Sequence, residues 1–374
     1  MKIPRFFTRL DMYLKPNKVL VIYGPRQVGK TTLLTDYLQR SKRKYRLDSG
    51  EDVRIQEIFE SRDFVKIKNY AQGYELLAID EAQKIRRVGE SLKIIVDQIP
   101  GILVIATGSS SFDLAGQVGE PLTGRKTTLI LYPVAQLELK ELHTPFELHE
   151  RLEEFLIYGA YPEVIVEESV KEKTRILSEI ASSYLLKDIL ALDRIKSSKI
   201  LLDLLRLLAF QIGSEVSLSE IGQKLGIDYK TVARYIDLLE KNFVTFSLRG
   251  YSRNLRNEMT KKAKYYFFDC GIRNALIANF NPVELRNDRG MLWENFVMME
   301  RQKKQAYEEV AVNPYFWRTW QQKEIDLIEE REGRLFAYEI KWNGDVREPK
   351  SFREAYPEAE FQVVNKDNYL DFII

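Results

Sequence analysis

The hydrophobic pattern changes character along the chain. Over residues 18–133, short uninterrupted apolar runs alternate with amphipathic stretches. The runs are Val19–Tyr23, Tyr45–Leu47, Leu76–Ile79, Ile102–Thr107 and Thr128–Leu131. An apolar run without polar alternation suits a strand covered on both faces, so each reads as a buried parallel strand and the whole as α/β. From Val134 to about Phe210 the period is helical, interrupted at Gly159 and Pro162. From Ser214 to Phe268 short helices precede a hairpin-like stretch, and from Met291 a helix leads into alternating strands. The pattern predicts four units: a parallel-sheet domain over 1–134, a helical segment over 135–212, short helices with a hairpin over 213–285, and a second α/β unit over 286–374.

The 374 residues are long enough to bury large cores without covalent staples. Cys270 is the only cysteine, which excludes a disulfide within the chain, and with only His143 and His149 beside it a structural zinc site has too few ligands. The same histidines sit at a helix end and in a loop by pattern, so a Ser–His–Asp or Cys–His centre has little support. Lys and Arg number 57 against 55 Asp and Glu, so any basic surface must be local. Met1–Lys15 carries charges every few residues, and no apolar run approaches the ~18 residues of a membrane helix. The expectation is a cytoplasmic protein with no membrane partner.

Gly24-Pro25-Arg26-Gln27-Val28-Gly29-Lys30-Thr31 matches G-x-x-x-x-G-K-[ST] between an apolar strand and a helix beginning at Thr31. The glycines let backbone N–H groups close around a phosphate, and the helix N-terminus adds partial positive charge. Lys30 is expected on the β- and γ-phosphates of ATP and Thr31 on Mg²⁺, with Thr32 next in the helix. Leu76-Leu77-Ala78-Ile79 ends in Asp80 and Glu81. Asp80 is expected to hold Mg²⁺ through its water shell, and Glu81 to orient or deprotonate the attacking water. Ile102–Ala106 runs into Thr107-Gly108-Ser109-Ser110, where Ser109 is a candidate γ-phosphate sensor and a helix cap or turn is the competing reading. Arg125, just before the next strand, is a candidate catalytic arginine, with a plain surface arginine as its rival. Asp48 lies at the same strand edge without an assigned role.

The loop GPRQVGKTT, the run AIDEAQ, the TGSSS stretch and LTGR before a strand resemble the prokaryotic AAA-type ATPases. They are most similar to the subgroup carrying a C-terminal nuclease-like domain. Tyr158-Gly159-Ala160-Tyr161-Pro162 and Tyr184-Leu185-Leu186-Lys187-Asp188 resemble that subgroup's markers, with Ala160 replacing the second glycine of Gly-Gly. The resemblance implies an ATPase core followed by a helical lid.

Two further patterns carry chemistry. Ser217–Ile227 reads as a short helix and turn, with Ser219 and Glu220 as capping residues, and Asp228 caps a second helix over Tyr229–Lys241. This is a helix-turn-helix, with Phe243–Leu248 and Lys264–Phe268 as the strands of a wing. Tyr229, Lys230 and Arg234 suit DNA contacts, together with Arg249, Arg253, Arg256, Lys261 and Lys262 in a stretch holding one acid, Glu258. Such modules also serve protein contacts, so a protein partner or a second copy stays open. Tyr229 and Tyr235 are the aromatics set aside for base stacking; the rest read as packing.

In the last third, Glu339 and Lys341 share one face of a strand, and Asp326 on the adjacent strand and Glu294 on the preceding helix can join them. Carboxylates beside a lysine suit Mg²⁺-dependent phosphodiester cleavage. The order Glu294, Asp326, Glu339-x-Lys341 resembles the PD-(D/E)XK nuclease superfamily. Its helix, three strands, helix, strand would map to Leu292–Lys304, Tyr315–Trp320, Ile325–Glu329, Leu335–Trp342, Pro349–Glu354 and Glu360–Val364. The expected protein is an ATPase whose nucleotide state controls a DNA-binding winged helix and a nuclease-like domain. That domain either cuts DNA, with Glu294, Asp326 and Glu339 on metal and Lys341 beside them, or is inert, leaving an ATP-gated DNA- or protein-binding switch.

Overall fold

Each of the five apolar runs becomes a parallel strand. The computed structural model describes residues 3–109, 122–184, 198–251 and 262–374. Strands β1 (Val19–Tyr23), β2 (Tyr45–Ser49), β3 (Leu76–Asp80), β4 (Leu103–Gly108) and β5 (Lys126–Ile130) form one sheet in the order β2-β3-β4-β1-β5. All its pairings are parallel. Leu20 and Ile22 of β1 pack with Leu33, Leu34 and Leu38 of α1 (Lys30–Arg40). Val19 and Val21 point the other way, into a core with α2 (Val53–Ser61), α3 (Phe64–Ala71) and α4 (Val88–Gln98). Both faces are covered, which is why the runs lack polar alternation. Asp48 at the edge of β2 is held by Arg46 and by the Tyr70 hydroxyl at 2.6 and 2.7 Å, a structural ion pair.

The helical layer comprises Gln136–Leu139, Pro145–Glu150, Leu152–Tyr158, Pro162–Val166 and Val170–Glu179, followed by α5 (Ser198–Phe210). The marker Tyr158–Pro162 is a clip. Gly159 has φ 70° and ψ −157°, and a Cβ there would lie 2.1 Å from Asp269 Oδ1. Asp269 accepts from the Ala160 and Ile272 N–H groups at 2.7 and 2.9 Å, tying the layer to the helix Cys270–Leu276. Burial pushes the Asp269 carboxyl up to about 6. The second marker lies largely outside the described residues.

Helices α6 (Leu218–Leu225) and α7 (Tyr229–Lys241) form the helix-turn-helix geometry. The first cap is Ser217, which accepts from Glu220 N at 3.4 Å, and not Ser219. Gly226 in the left-handed region ends α6, and Asp228 caps α7 through Thr231. The short helix α8 (Cys270–Leu276) follows the hairpin, and α9 (Arg289–Tyr307) runs for about 28 Å through the interior.

The largest departure from the sequence reading concerns the second sheet. Strands β6 (Glu215–Val216), β7 (Thr245–Gly250), β8 (Ala263–Phe267), β9 (Asn313–Arg318), β10 (Glu324–Arg331), β11 (Arg334–Ile340) and β12 (Glu360–Val364) make one seven-stranded sheet, ordered β12-β11-β10-β9-β7-β8-β6. The wing and the C-terminal unit therefore share one sheet. Arg249 and Gly250 of β7 pair in parallel with Tyr315 and Phe316 of β9. An exposed wing edge would leave backbone donors unpaired, and β9 satisfies them. The six C-terminal elements occur in the expected order, with α10 (Lys350–Ala355) between β11 and β12. Among the described residues no helix is long and apolar enough to cross a membrane.

Candidate functional site

The loop after β1 owes its shape to backbone that only glycine tolerates. Gly24 has φ 156°, and a Cβ there would sit 1.9 Å from the Leu131 carbonyl oxygen. Gly29 has φ 92°, and Gln27 is also left-handed at 62°. Lys30, buried at the start of α1, donates to the carbonyls of Gly24 and Pro25 at 2.9 and 2.7 Å, so its ammonium lies inside the loop it opens.

The sheet order brings the remaining groups to the same edge. β4 lies between β1 and β3, so its last residues stand between the loop and Asp80. Thr31 Oγ1 donates to Asp80 Oδ2 at 2.8 Å, and Thr107 donates to Asp80 Oδ1. The Thr107 hydroxyl in turn accepts from Glu81 N at 3.2 Å. Gln83 Nε2 bridges Glu81 Oε2 at 2.5 Å and Ser109 Oγ at 3.0 Å. Thr31, Asp80, Glu81 and Ser109 thus belong to one hydrogen-bonded edge, with Lys30 beside it in the loop. Thr107 and Gln83 complete it; both stood inside quoted motifs, and only the sheet order assigns them partners. The residues fit a magnesium nucleotide: a hydroxyl and a carboxylate meet beside a cationic, glycine-lined loop. A cleft of about 660 Å³ opens beside it, lined by Pro4, Val28, Thr32, Leu142, Pro162 and Val166 among others. Pro25, Arg26 and Gln27 complete the loop as expected.

Arg125 is corrected. Lys126 pairs with Val19, so Arg125 stands where β1 begins, at the edge opposite the loop. Its Nε bonds Asp97 Oδ1 of α4 at 2.5 Å. It does not face the phosphate loop of its own chain.

A residue missed in the sequence locks the loop from behind. Arg5 is buried and donates to the Val28 carbonyl within the loop, to the Tyr132 carbonyl at 2.7 Å and to Glu138 Oε1 at 3.0 Å. Burial works against its charge, but Glu138 and Tyr307 together more than offset this and raise its proton affinity. Its Nη2 also lies 3.4 Å from the hydroxyl of Tyr307, at the end of α9. Further along α9, Glu300 accepts from Gln136 N at 2.6 Å and Lys303 bonds Glu300 at 2.7 Å, both fully buried. One helix therefore runs from Tyr307, behind the loop, back to Glu294 near its start. No sequence pattern marks Arg5, because its carboxylate partner is 133 residues away.

At the other end of α9, Glu294 accepts from the Tyr266 hydroxyl at 2.6 Å and lies 3.4 Å from Lys264 Nζ. Lys264 also bonds Glu324. Asp326 Oδ2 accepts from Ile340 N at 2.8 Å and from Lys341 at 3.2 Å, and Lys341 reaches Glu339 Oε1 at 2.7 Å. Asp326, Glu339 and Lys341 are joined directly, and Glu294 lies near enough to Asp326 to feel its charge. Burial and the nearby Asp326 push the Glu294 carboxyl up to about 7, and burial with Asp326 raises Glu339. Among the described residues, however, no three acidic, histidine or cysteine groups stand ready to hold a metal ion. The two lysines occupy the positions between the acids. Glu339 Oε2 is buried with no hydrogen-bond partner among the described residues.

The DNA-contact candidates divide. Tyr229, Lys230 and Arg234 are exposed on α7, and Arg249 and Lys262 are exposed on the wing. Arg253, Arg256 and Lys261 lie outside the described residues, as does Ser110. Tyr235 is buried, which removes it as a stacking surface, and Lys264 belongs to the acidic cluster rather than to a basic patch.

Three family models match the chain. Residues 149–283 match a "Domain of unknown function (DUF8612)" and residues 289–372 a "Domain of unknown function (DUF4143)". An uncharacterized protein of Mycobacterium tuberculosis is 28% identical over 352 residues, 93% of this chain and 75% of that one. Another from Methanocaldococcus jannaschii is 23% identical over 378 residues, 95% and 82% of the two chains. A solved Walker-type ATPase of Pyrococcus abyssi is 18% identical, covering 69% of this chain and 91% of that one at a TM-score of 0.46. Residues 16–140 match the model described as "AAA domain", and together with the loop this supports an AAA-type P-loop ATPase domain in the N-terminal part of the chain.

Proposed function

We propose that the chain is an ATP-hydrolysing switch whose nucleotide state governs a DNA-binding C-terminal half. The observation that carries this reading is the Thr31–Asp80 contact at 2.8 Å, beside a lysine held at the mouth of a glycine-shaped loop. Lys30 is positioned to exchange its two carbonyl partners for phosphate oxygens, and Thr31 and Asp80 to hold the magnesium ion. Bound magnesium neutralises the developing charge on the phosphoryl oxygens. Glu81, steadied by Gln83, accepts a proton from the attacking water, and Ser109 reports on the γ-phosphate side. The cleft beside Val28 and Thr32 takes the base and ribose. Arg5 and α9 pass a change at Val28 to Glu294 and the second sheet, because a helix tied at both ends moves as one body. Arg125, facing away from its own loop and paired with Asp97, takes no part in turnover at that loop.

Calorimetry with ATP and magnesium, followed by phosphate release, tests the reading. Wild-type protein binds and turns over ATP, and Glu81→Gln binds without turnover. Absence of heat with either ATP or GTP refutes the nucleotide site.

A second reading, DNA cleavage by Glu294, Asp326, Glu339 and Lys341, is favoured by Lys341 lying between Asp326 at 3.2 Å and Glu339 at 2.7 Å, carboxylates beside a lysine. Incubation of plasmid and branched DNA with magnesium or manganese separates the two readings. Cleavage that disappears in Asp326→Ala supports the enzyme, and intact DNA binding without cleavage supports the switch.

A further inference from the structure

Trp320 stands at the tip of the β9–β10 hairpin and is 99% exposed. The tip is a built turn: Thr319 N donates to Lys323 O at 2.8 Å, Gln322 N to Thr319 O at 3.1 Å, and Arg318 bonds the Gln322 side chain. The sequence pattern had placed Trp320 inside the strand, which instead ends at Arg318. The indole borders a cleft of about 830 Å³ whose wall includes Gly213, Gly250 and Phe316. Lys264 and Glu324, members of the acid–lysine cluster, form part of the same wall. The cleft's charged lining is three cations, Lys262, Lys264 and Arg318, against two carboxylates, Glu215 and Glu324. Lys323, three residues on in the same turn, adds an exposed cation.

We propose that this cleft binds single-stranded nucleic acid, with an unpaired base stacked on Trp320 and the backbone lying along Lys262 and Lys323. The inference rests on the nucleic-acid reading above and specifies the form of the ligand. A flat π-face presented to water on a hydrogen-bonded turn, with exposed lysines nearby in the chain, matches a base attached to a phosphate chain. A duplex keeps its bases stacked inside and offers no such face, so the preference is for an unpaired strand. The ring lies at the mouth of the cleft that leads to Lys264, so a stacked base fixes which stretch of backbone approaches the acids.

The test uses full-length protein, a labelled oligothymidine of about twenty nucleotides and a duplex of the same length. Trp293 and Trp317 are buried, so Trp320 contributes the most exposed indole emission. The single strand quenches this emission and binds more tightly than the duplex. Trp320→Ala weakens single-strand binding roughly 5- to 150-fold and leaves the duplex affinity unchanged, while Trp320→Tyr retains most of it. Equal single-strand affinity in wild type and Trp320→Ala overturns the stacking site while the broader nucleic-acid reading stands. Failure of wild-type protein to bind either oligonucleotide overturns both. A change in sedimentation of Trp320→Ala with DNA binding unaltered assigns the ring to a contact between copies, against the proposal.

Discussion

Replacing Arg5 by methionine tests how firmly the nucleotide loop is held to the rest of the molecule. Methionine keeps much of the length and apolar stem but removes the charge and every donor. Glu138 has a fully buried side chain and would lose the partner at 3.0 Å and a weaker one at 3.3 Å. It keeps two backbone donors, Phe6 N at 2.7 Å and Ala135 N at 2.9 Å. Breaking a buried ion pair usually costs about 3–5 kcal/mol, because the surviving charge stays desolvated. The two retained donors place this case near the lower end, at about 3 kcal/mol. The carbonyls of Val28 and Tyr132 also lose a donor. Urea unfolding of wild type, Arg5→Met, Glu138→Gln and the double variant measures the pair directly. Once Arg5 is gone, neutralising Glu138 removes a penalty, so the double variant is less destabilised than the sum of the singles by about 2 kcal/mol or more. Additive single effects, agreeing within ~0.5 kcal/mol, would refute the argument that a desolvated charge pair secures the loop.

Other consequences are separable. Lys30→Ala removes a charged donor to phosphate and should weaken ATP binding about 10- to 150-fold by calorimetry without altering the thermal midpoint downward by more than a few degrees. Gly159→Ala places a Cβ against Asp269 in backbone that glycine alone adopts readily, and should cost about 2–6 kcal/mol by the same urea assay. Glu294 has a carboxyl raised from 4.5 to about 7 on folding, so its contribution is fully present below pH 4.5 and is lost as pH rises through about 7. Glu294→Gln should therefore flatten the fall in stability across that window; an unchanged slope would show that the charge is not buried against Asp326. Arg125→Ala should leave nucleotide affinity of dilute protein unchanged, since Arg125 pairs with Asp97 at the far edge of the sheet.

Local chemistry determined much of this protein from its sequence. The five core strands are legible because burial on both faces removes polar alternation, and the loop because only glycine and a following helix make its geometry. The caps and turn of α6 and α7 are written within a dozen residues, although Ser217 rather than Ser219 takes the first cap. The joining of Asp326, Glu339 and Lys341, with Glu294 near Asp326, also follows from strand alternation and element order. Tertiary structure decided what depends on distant partners. Which strand lies beside which placed Arg125 at the wrong edge for its own nucleotide and put Thr107 against Asp80 and Glu81. Pairing of β7 with β9 fused the wing to the C-terminal sheet, because an open edge has no pattern that names its partner. Arg5 with Glu138, and Gly159 with Asp269, are contacts across more than a hundred residues. Periodicity reports whether a side chain faces a core, but only the assembled sheets and helices decide which charge or carbonyl it meets there.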